Sequence, residues 1–297
     1  MFSDTHFHFH QMVNGCGFSG CDELIKMAKN NVFFAMDIGT KSNDITERQE
    51  CVLDSIEEIT DPELKKKAEN FIYFSAGIWP SPEEIKNRTE SVKILEQNVK
   101  SAFASSNPLF KKIVAIGECG LDHHWNPSGV DGRSLSDFDK EMLEGEKEMF
   151  VAQLKLAEKF QLPVIVHSRD AFEETLECID KAGYHNGIIH CYSYDKNAAE
   201  QFLQRGWYIA LGGGMTYTKK SKMEEIKELI NSIPENRLLL ETDAPYLSPV
   251  PLRGTQNTPN NINYTYEFIA DVRGVSVEYL CSVVDENSRT LFKLADG

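Results

Sequence analysis

Short apolar runs punctuate the chain, separated by longer stretches in which apolar positions recur at helical spacing. Runs at 2–6, 32–38, 71–77, 112–117, 163–167, 187–190, 207–211 and 237–241 are bounded by polar segments, and each predicts a β-strand. The stretch 146–160 places Met149, Phe150, Leu154, Leu156 and Ala157 at near-helical intervals and predicts an amphipathic helix. Strand and helix alternating in this way imply an α/β fold with a parallel sheet, and eight strands imply closure into a (β/α)8 TIM-type barrel. An open, doubly wound sheet is the competing arrangement. No G-x-G-x-x-G follows the first strand, which weakens its dinucleotide-binding version. With no linker or low-complexity tract in its 297 residues, the chain reads as one barrel domain over 1–297. The polar stretch 126–140, with Gly129, Asp131, Gly132 and Ser134, reads as a long loop after strand four, either a lid over the mouth or a plain connection.

The way these runs end carries the chemistry. Ile113-Val114-Ala115-Ile116-Gly117 leads into Glu118, Pro163-Val164-Ile165-Val166 into His167, and Gly187-Ile188-Ile189 into His190. Leu238-Leu239-Leu240 leads through Glu241 and Thr242 to Asp243. His6 and His8 stand two apart in the first run, so the period-two pleat points both to one side. In a parallel barrel the carboxyl ends of all strands share one face, so these four histidines and two carboxylates are expected to converge there. Imidazole with carboxylate suits divalent ions such as Zn, Mn or Mg. Six ligands exceed the needs of one catalytic ion that keeps an open position; they fit two, with Glu118 between them. Singly, each residue has an ordinary reading as a hydrogen-bonded strand end or a turn cap. Burying all six together without a cation would cost several kcal/mol.

Composition narrows the field. Hydrophobic residues make up 41% of the chain, enough for a large core, and no apolar stretch approaches the ~20 residues of a bilayer span. The N-terminus lacks a basic segment followed by an apolar one, so a cytoplasmic location and no membrane association are expected. A net charge of −15 disfavours extended wrapping of duplex DNA. A local phosphate site survives that argument, because bound cations reverse the charge of their pocket. Seven cysteines lack the paired spacing of structural zinc; they read as reduced thiols, mostly in the core, with Cys16 and Cys21 the one close pair.

Asp4-Thr5-His6-Phe7-His8 resembles the D-x-H-x-H opening of amidohydrolase-type barrels. Gly117-Glu118-Cys119-Gly120-Leu121-Asp122, His167-Ser168-Arg169-Asp170-Ala171, His190-Cys191-Tyr192 and Glu241-Thr242-Asp243-Ala244-Pro245-Tyr246-Leu247 resemble the signatures of TatD-type metal-dependent deoxyribonucleases. Ser248-Pro249-Val250-Pro251-Leu252-Arg253-Gly254 and the closing Glu286-Asn287 to Leu291-Phe292 extend the likeness over nearly the whole chain. The resemblance implies a barrel with two divalent metals and hydrolysis of DNA phosphodiester bonds, often from the 3′ end, by a water activated between the metals. It assigns His6, His8, Glu118 and Asp243 to one metal, and Glu118, His167 and His190 to the other. Glu118, where related barrels carry a carboxylated Lys, favours the TatD branch. Glu118 and Asp243 are then the catalytic carboxylates, Asp243 accepting the water's proton.

Two positions depart from the family pattern. Gly77-Ile78-Trp79-Pro80 stands where G-x-H-P is usual, leaving Trp79 to stack on a base or to pack the loop; Asn257-Thr258-Pro259 stands where N-E-P is usual. Arg169 and Arg253 are candidate phosphate clamps, with an ion pair to Asp170 or Glu173 as the alternative for Arg169. Tyr246, His123, His124 and Trp125 are expected to line the pocket, His124 being a candidate to protonate the leaving group. A DNA or other phosphodiester substrate bound locally is the expected partner, and no obligate protein partner is inferred. The competing functions are hydrolysis of a small ester, lactone or amide, deamination, and a degenerate, non-catalytic barrel.

Overall fold

The computed structural model describes residues 1–128, 133–217 and 219–294. The strands are β1 (Phe2–Phe7), β2 (Val32–Asp37), β3 (Ile72–Ala76), β4 (Ile113–Asp122), β5 (Val164–Arg169), β6 (Gly187–Ile189), β7 (Tyr208–Leu211) and β8 (Leu238–Leu240). They form one parallel sheet in sequential order, each run falling where the apolar pattern put it. The barrel closes at its carboxyl-terminal end, where residues following β8 bond to β1. Asp243 N–H donates to the His6 carbonyl at 2.9 Å, and His8 N–H to the Ala244 carbonyl at 2.8 Å. The fold is therefore a (β/α)8 barrel.

Helices cover the outside because each crossover carries an apolar stripe. The helix Lys140–Phe160 contains the 146–160 segment; Asp139 caps its first turn by accepting the Met142 N–H, and left-handed Gln161 ends it. Met149, Phe150, Leu154, Leu156 and Ala157 are all buried in the shared core. Of the loop expected over 126–140, Gly129, Asp131 and Gly132 lie outside the described residues. The rest is only partly loop, since Leu135–Phe138 is a 3-10 turn running into that helix. Among the described residues no helix is long and apolar enough to cross a membrane. All seven cysteines are free, but only Cys119, Cys178 and Cys281 are buried, fewer than expected.

One strand departs from its sequence reading in a way that matters. β4 does not stop before Glu118 but runs on to Asp122, with a register shift against β5 between Ile116 and Cys119. The extension depends on close backbone approach. A side chain at Gly120, which has φ +148°, would overlap the His167 carbonyl, and one at Gly77 would collide with the Gly117 backbone.

Candidate metal centre

Five of the six expected ligands line one cavity of ≈ 910 Å³ at the carboxyl-terminal mouth, and His6 lies fully buried directly behind it. Glu118 stands at the centre with its two oxygens facing opposite ways. Oε1 is 2.8 Å from His167 Nδ1 and 3.1 Å from His190 Nε2. Oε2 is 3.4 Å from His6 Nε2 and 3.9 Å from His8 Nε2. Asp243 Oδ1 closes the second cluster, 3.6 Å from His6 Nε2 and 3.4 Å from His8 Nε2. Donor atoms of His6, His8 and Asp243 fall within 4.8 Å of one another, as do those of His6, Glu118 and His190.

Such a set fits divalent cations. His6 Nε2 and His8 Nε2 lie 3.3 Å apart and His167 Nδ1 and His190 Nε2 lie 3.2 Å apart, all four turned towards carboxylate oxygens. Buried lone pairs gathered this closely call for a shared positive charge. Burial alone would raise the Glu118 carboxyl, yet His190, His167 and His6 hold it well below the usual range. Burial also opposes charging His167 and His190, but their carboxylate neighbours win, raising His167 to about 9 and His190 well above its ordinary value. Asp243 is likewise kept low against burial, by its bond to His8 and the charges around it.

Three carboxylates that strand endings did not single out orient the ligands. Asp122 Oδ2 sits 3.0 Å from His167 Nε2, so an Nε2 proton directed there leaves the Nδ1 lone pair facing Glu118. Glu241 Oε1 accepts the Cys191 N–H at 2.5 Å and lies 3.5 Å from His190 Nδ1, an ion-pair distance without a formed hydrogen bond. Asp4 accepts from His6 N–H, Thr242 N–H and Thr242 Oγ at 3.2, 3.0 and 2.6 Å, tying β1 to the segment that carries Asp243. A period-two signal was available for Asp122 and Glu241, which stand four and two residues from Glu118 and Asp243.

The expected substrate contacts divide. Trp79, Arg169 and Tyr246 line the cavity. The Trp79 ring lies 6.1 Å from that of His167 and the Tyr246 ring 5.9 Å from that of His8, so each cluster has an aromatic neighbour. Exposed Arg169 pairs with neither Asp170 nor Glu173, and makes no ion pair among the described residues. Arg253 is not among the lining residues; its guanidinium packs over the ring of Tyr217, which is, at 4.3 Å. His124 also falls outside the lining, because its Nδ1 is engaged by Asp170 Oδ2 at 2.7 Å. His123 turns to Glu146, and Trp125 is exposed away from the cavity. Thr258 lies away from the mouth, donating to buried Glu23 at 2.5 Å. Gln11, Thr40, Ser193, Met215 and Tyr217, which no motif singled out, also line it; Gln11, Met215 and Tyr217 sit on short helices at the mouth.

A parallel barrel with imidazoles and carboxylates gathered at its carboxyl-terminal mouth defines a metal-dependent hydrolase. The family described as TatD related DNase matches residues 3–293, and the chain belongs to it. It is 32% identical over 227 residues to the "Uncharacterized metal-dependent hydrolase YabD" of Bacillus subtilis (strain 168), covering 76% of this chain and 79% of that one. It is 33% identical over 189 residues to the "3'-5' ssDNA/RNA exonuclease TatD" of Salmonella typhimurium, covering 62% and 67%. Among solved structures, the TatD homolog YJJV from Escherichia coli K12 superposes with a TM-score of 0.77 at 26% identity, over 99% of this chain and 98% of that one.

Proposed function

We propose that the chain hydrolyses phosphodiester bonds of single-stranded DNA from the 3′ end, with two divalent cations that His6, His8, Glu118, His167, His190 and Asp243 would hold. The observation that supports this reading is the division of Glu118, whose Oε1 faces His167 and His190 while Oε2 faces His6 and His8. A bridging carboxylate between two histidine clusters suits an in-line displacement, in which attacking and leaving oxygens both need stabilising. The relative named as a 3'-5' ssDNA/RNA exonuclease points the same way.

Bound divalent cations would supply Lewis acidity and a water of lowered pKa. The protein's own groups do the rest. Asp243, ionised because His8 and its neighbours hold its carboxyl low against burial, accepts the proton of the attacking water. Asp122 and Glu241 keep the His167 and His190 rings aimed inward. Arg169, exposed at the rim, takes a phosphate oxygen, and Trp79 and Tyr246 offer faces to unpaired bases on either side. A strand end asks for a smaller phosphate footprint than a duplex, in keeping with the chain's net charge of −15.

The test is a labelled single-stranded DNA incubated with the purified protein and Mg²⁺, Mn²⁺ or Zn²⁺, beside aryl esters and a lactone. A ladder shortening from the 3′ end, absent in Glu118→Ala, is the expected result. Turnover of the esters or lactone with DNA untouched under all three ions would move the reading to a small-molecule hydrolase.

A further inference from the structure

Beneath the mouth lies a buried ion cluster that belongs to no ligand set. Arg48, on the helix Ile45–Glu57, is 4% exposed and anchored by four contacts. Its Nη1 donates to Asp37 Oδ2 at 2.6 Å and to the Asp37 carbonyl at 3.2 Å, and its Nη2 to the Ser75 carbonyl at 2.7 Å. Its Nε lies 3.0 Å from Asp44 Oδ1, paired by charge without hydrogen-bond alignment. One rigid guanidinium thus joins the ends of β2 and β3 to the loop between β2 and its helix.

Asp37, Ser75 and Asp44 each lead towards the metal centre through one or two backbone hydrogen bonds. Asp37 Oδ1 accepts the N–H of Phe9, next to His8, at 2.8 Å. Gly39, pressed so close to Arg48 that a Cβ would sit 2.7 Å from Nη2, accepts the Glu118 N–H on its carbonyl at 2.7 Å. Its own N–H goes to Ser75 Oγ at 3.1 Å. Asp44 Oδ2 accepts the N–H groups of Thr40 and Lys41 at 2.8 and 3.0 Å, and the Thr40 carbonyl accepts the Trp79 N–H at 2.9 Å. His8, Glu118 and Trp79 belong to or follow three different strands, β1, β4 and β3, and the same side chain lies behind all three.

We propose that Arg48 is a positioning residue that sets the spacing between His8 and Glu118, and with it the affinity of the centre for divalent cations. The inference rests on the two-cation reading of the site. A lysine retains the charge but cannot bond Asp37 and Ser75 in one plane. Arg48→Lys is therefore expected to fold while the Gly39 carbonyl and Phe9 N–H lose their common reference.

The test is calorimetric titration of metal-free protein with Mn²⁺ alone, with circular dichroism to establish folding. Arg48→Lys should bind Mn²⁺ about 10-fold or more weakly than the parent, in the range seen when groups supporting metal ligands are removed. Ser75→Ala, which frees only the Gly39 N–H, should weaken it in the same direction by a smaller factor. Leu229→Ala, buried on the remote helix Met223–Ser232, controls for lost stability and should bind as the parent does. Parental Mn²⁺ affinity in folded Arg48→Lys overturns the proposal, as does equal weakening in Leu229→Ala. If Arg48→Lys does not fold, Ser75→Ala decides, and an unchanged affinity there overturns it. A parent that takes up no Mn²⁺ would instead sink the two-cation reading.

Discussion

The imidazole rings of His6 and His190 lie face to face, 4.0 Å between centroids and 6° from parallel, although His6 belongs to β1 and His190 follows β6. Two stacked cationic rings would repel, and the environment separates them. Burial, then the charge on His190, lowers His6, whereas the carboxylates of Glu118 and Glu241 overcome burial to raise His190. The neutral form is thus favoured at His6 and the charged form at His190. Because His6 stacks on His190 of one cluster and approaches Asp243 of the other, it couples the two.

From that coupling, cations are expected to stabilise the fold measurably. A ligand at 100 times its dissociation constant adds about 2.7 kcal/mol. Thermal unfolding of the parent should therefore shift upward with Mn²⁺ and back with chelator, while Glu118→Ala shows no such shift and no nuclease activity. A Glu118→Ala protein that still cleaves DNA would refute the catalytic assignment.

Asp122→Asn and Glu241→Gln test the orienting carboxylates. Each keeps the shape but removes the charge facing His167 or His190, and metal affinity should fall roughly 10–100-fold. Metal content after dialysis against a graded series of free-ion concentrations measures it; parental retention in both variants counts against the role.

Trp79 is expected to act on substrate binding rather than on chemistry. Stacking of one base is worth about 1–3 kcal/mol, so Trp79→Ala should raise KM for single-stranded oligonucleotides by roughly 5–100-fold. Trp79→Phe should keep most of the affinity. Steady-state kinetics showing a fall in kcat with KM unchanged would assign Trp79 to the support of neighbouring His167 instead.

Asp285 gives a pH signature far from the metal centre. Its Oδ1 accepts the Ser3 hydroxyl at 2.6 Å, and burial pushes its carboxyl from 3.8 to about 6 despite that bond. A carboxyl raised on folding favours the fold fully below about pH 4, and the benefit is lost as pH rises through about 6. Ionisation then costs on the order of 3 kcal/mol at neutral pH. Asp285→Asn should match the parent near pH 4 and unfold several degrees higher at pH 7. A difference in Tm that stays constant between those values would exclude this titration.

Short apolar runs were enough to locate all eight strands, and apolar positions at helical spacing the helix around 146–160, because burial marks consecutive residues of a segment. The same reading singled out the six residues that converge at the mouth, since a parallel barrel gathers strand ends whatever its loops do. What consecutive residues do not encode is the partner each side chain meets across the sheet. The continuation of β4 through Asp122, the division of the Glu118 oxygens and the bracing by Arg48 all depend on register between strands far apart in the chain. So does the withdrawal of His124 to Asp170 and of Arg253 to Tyr217, two residues that motif position alone assigned to substrate. Burial is a property of a segment and can be read along it, whereas a hydrogen bond or ion pair is a property of two segments and exists only once the barrel has closed.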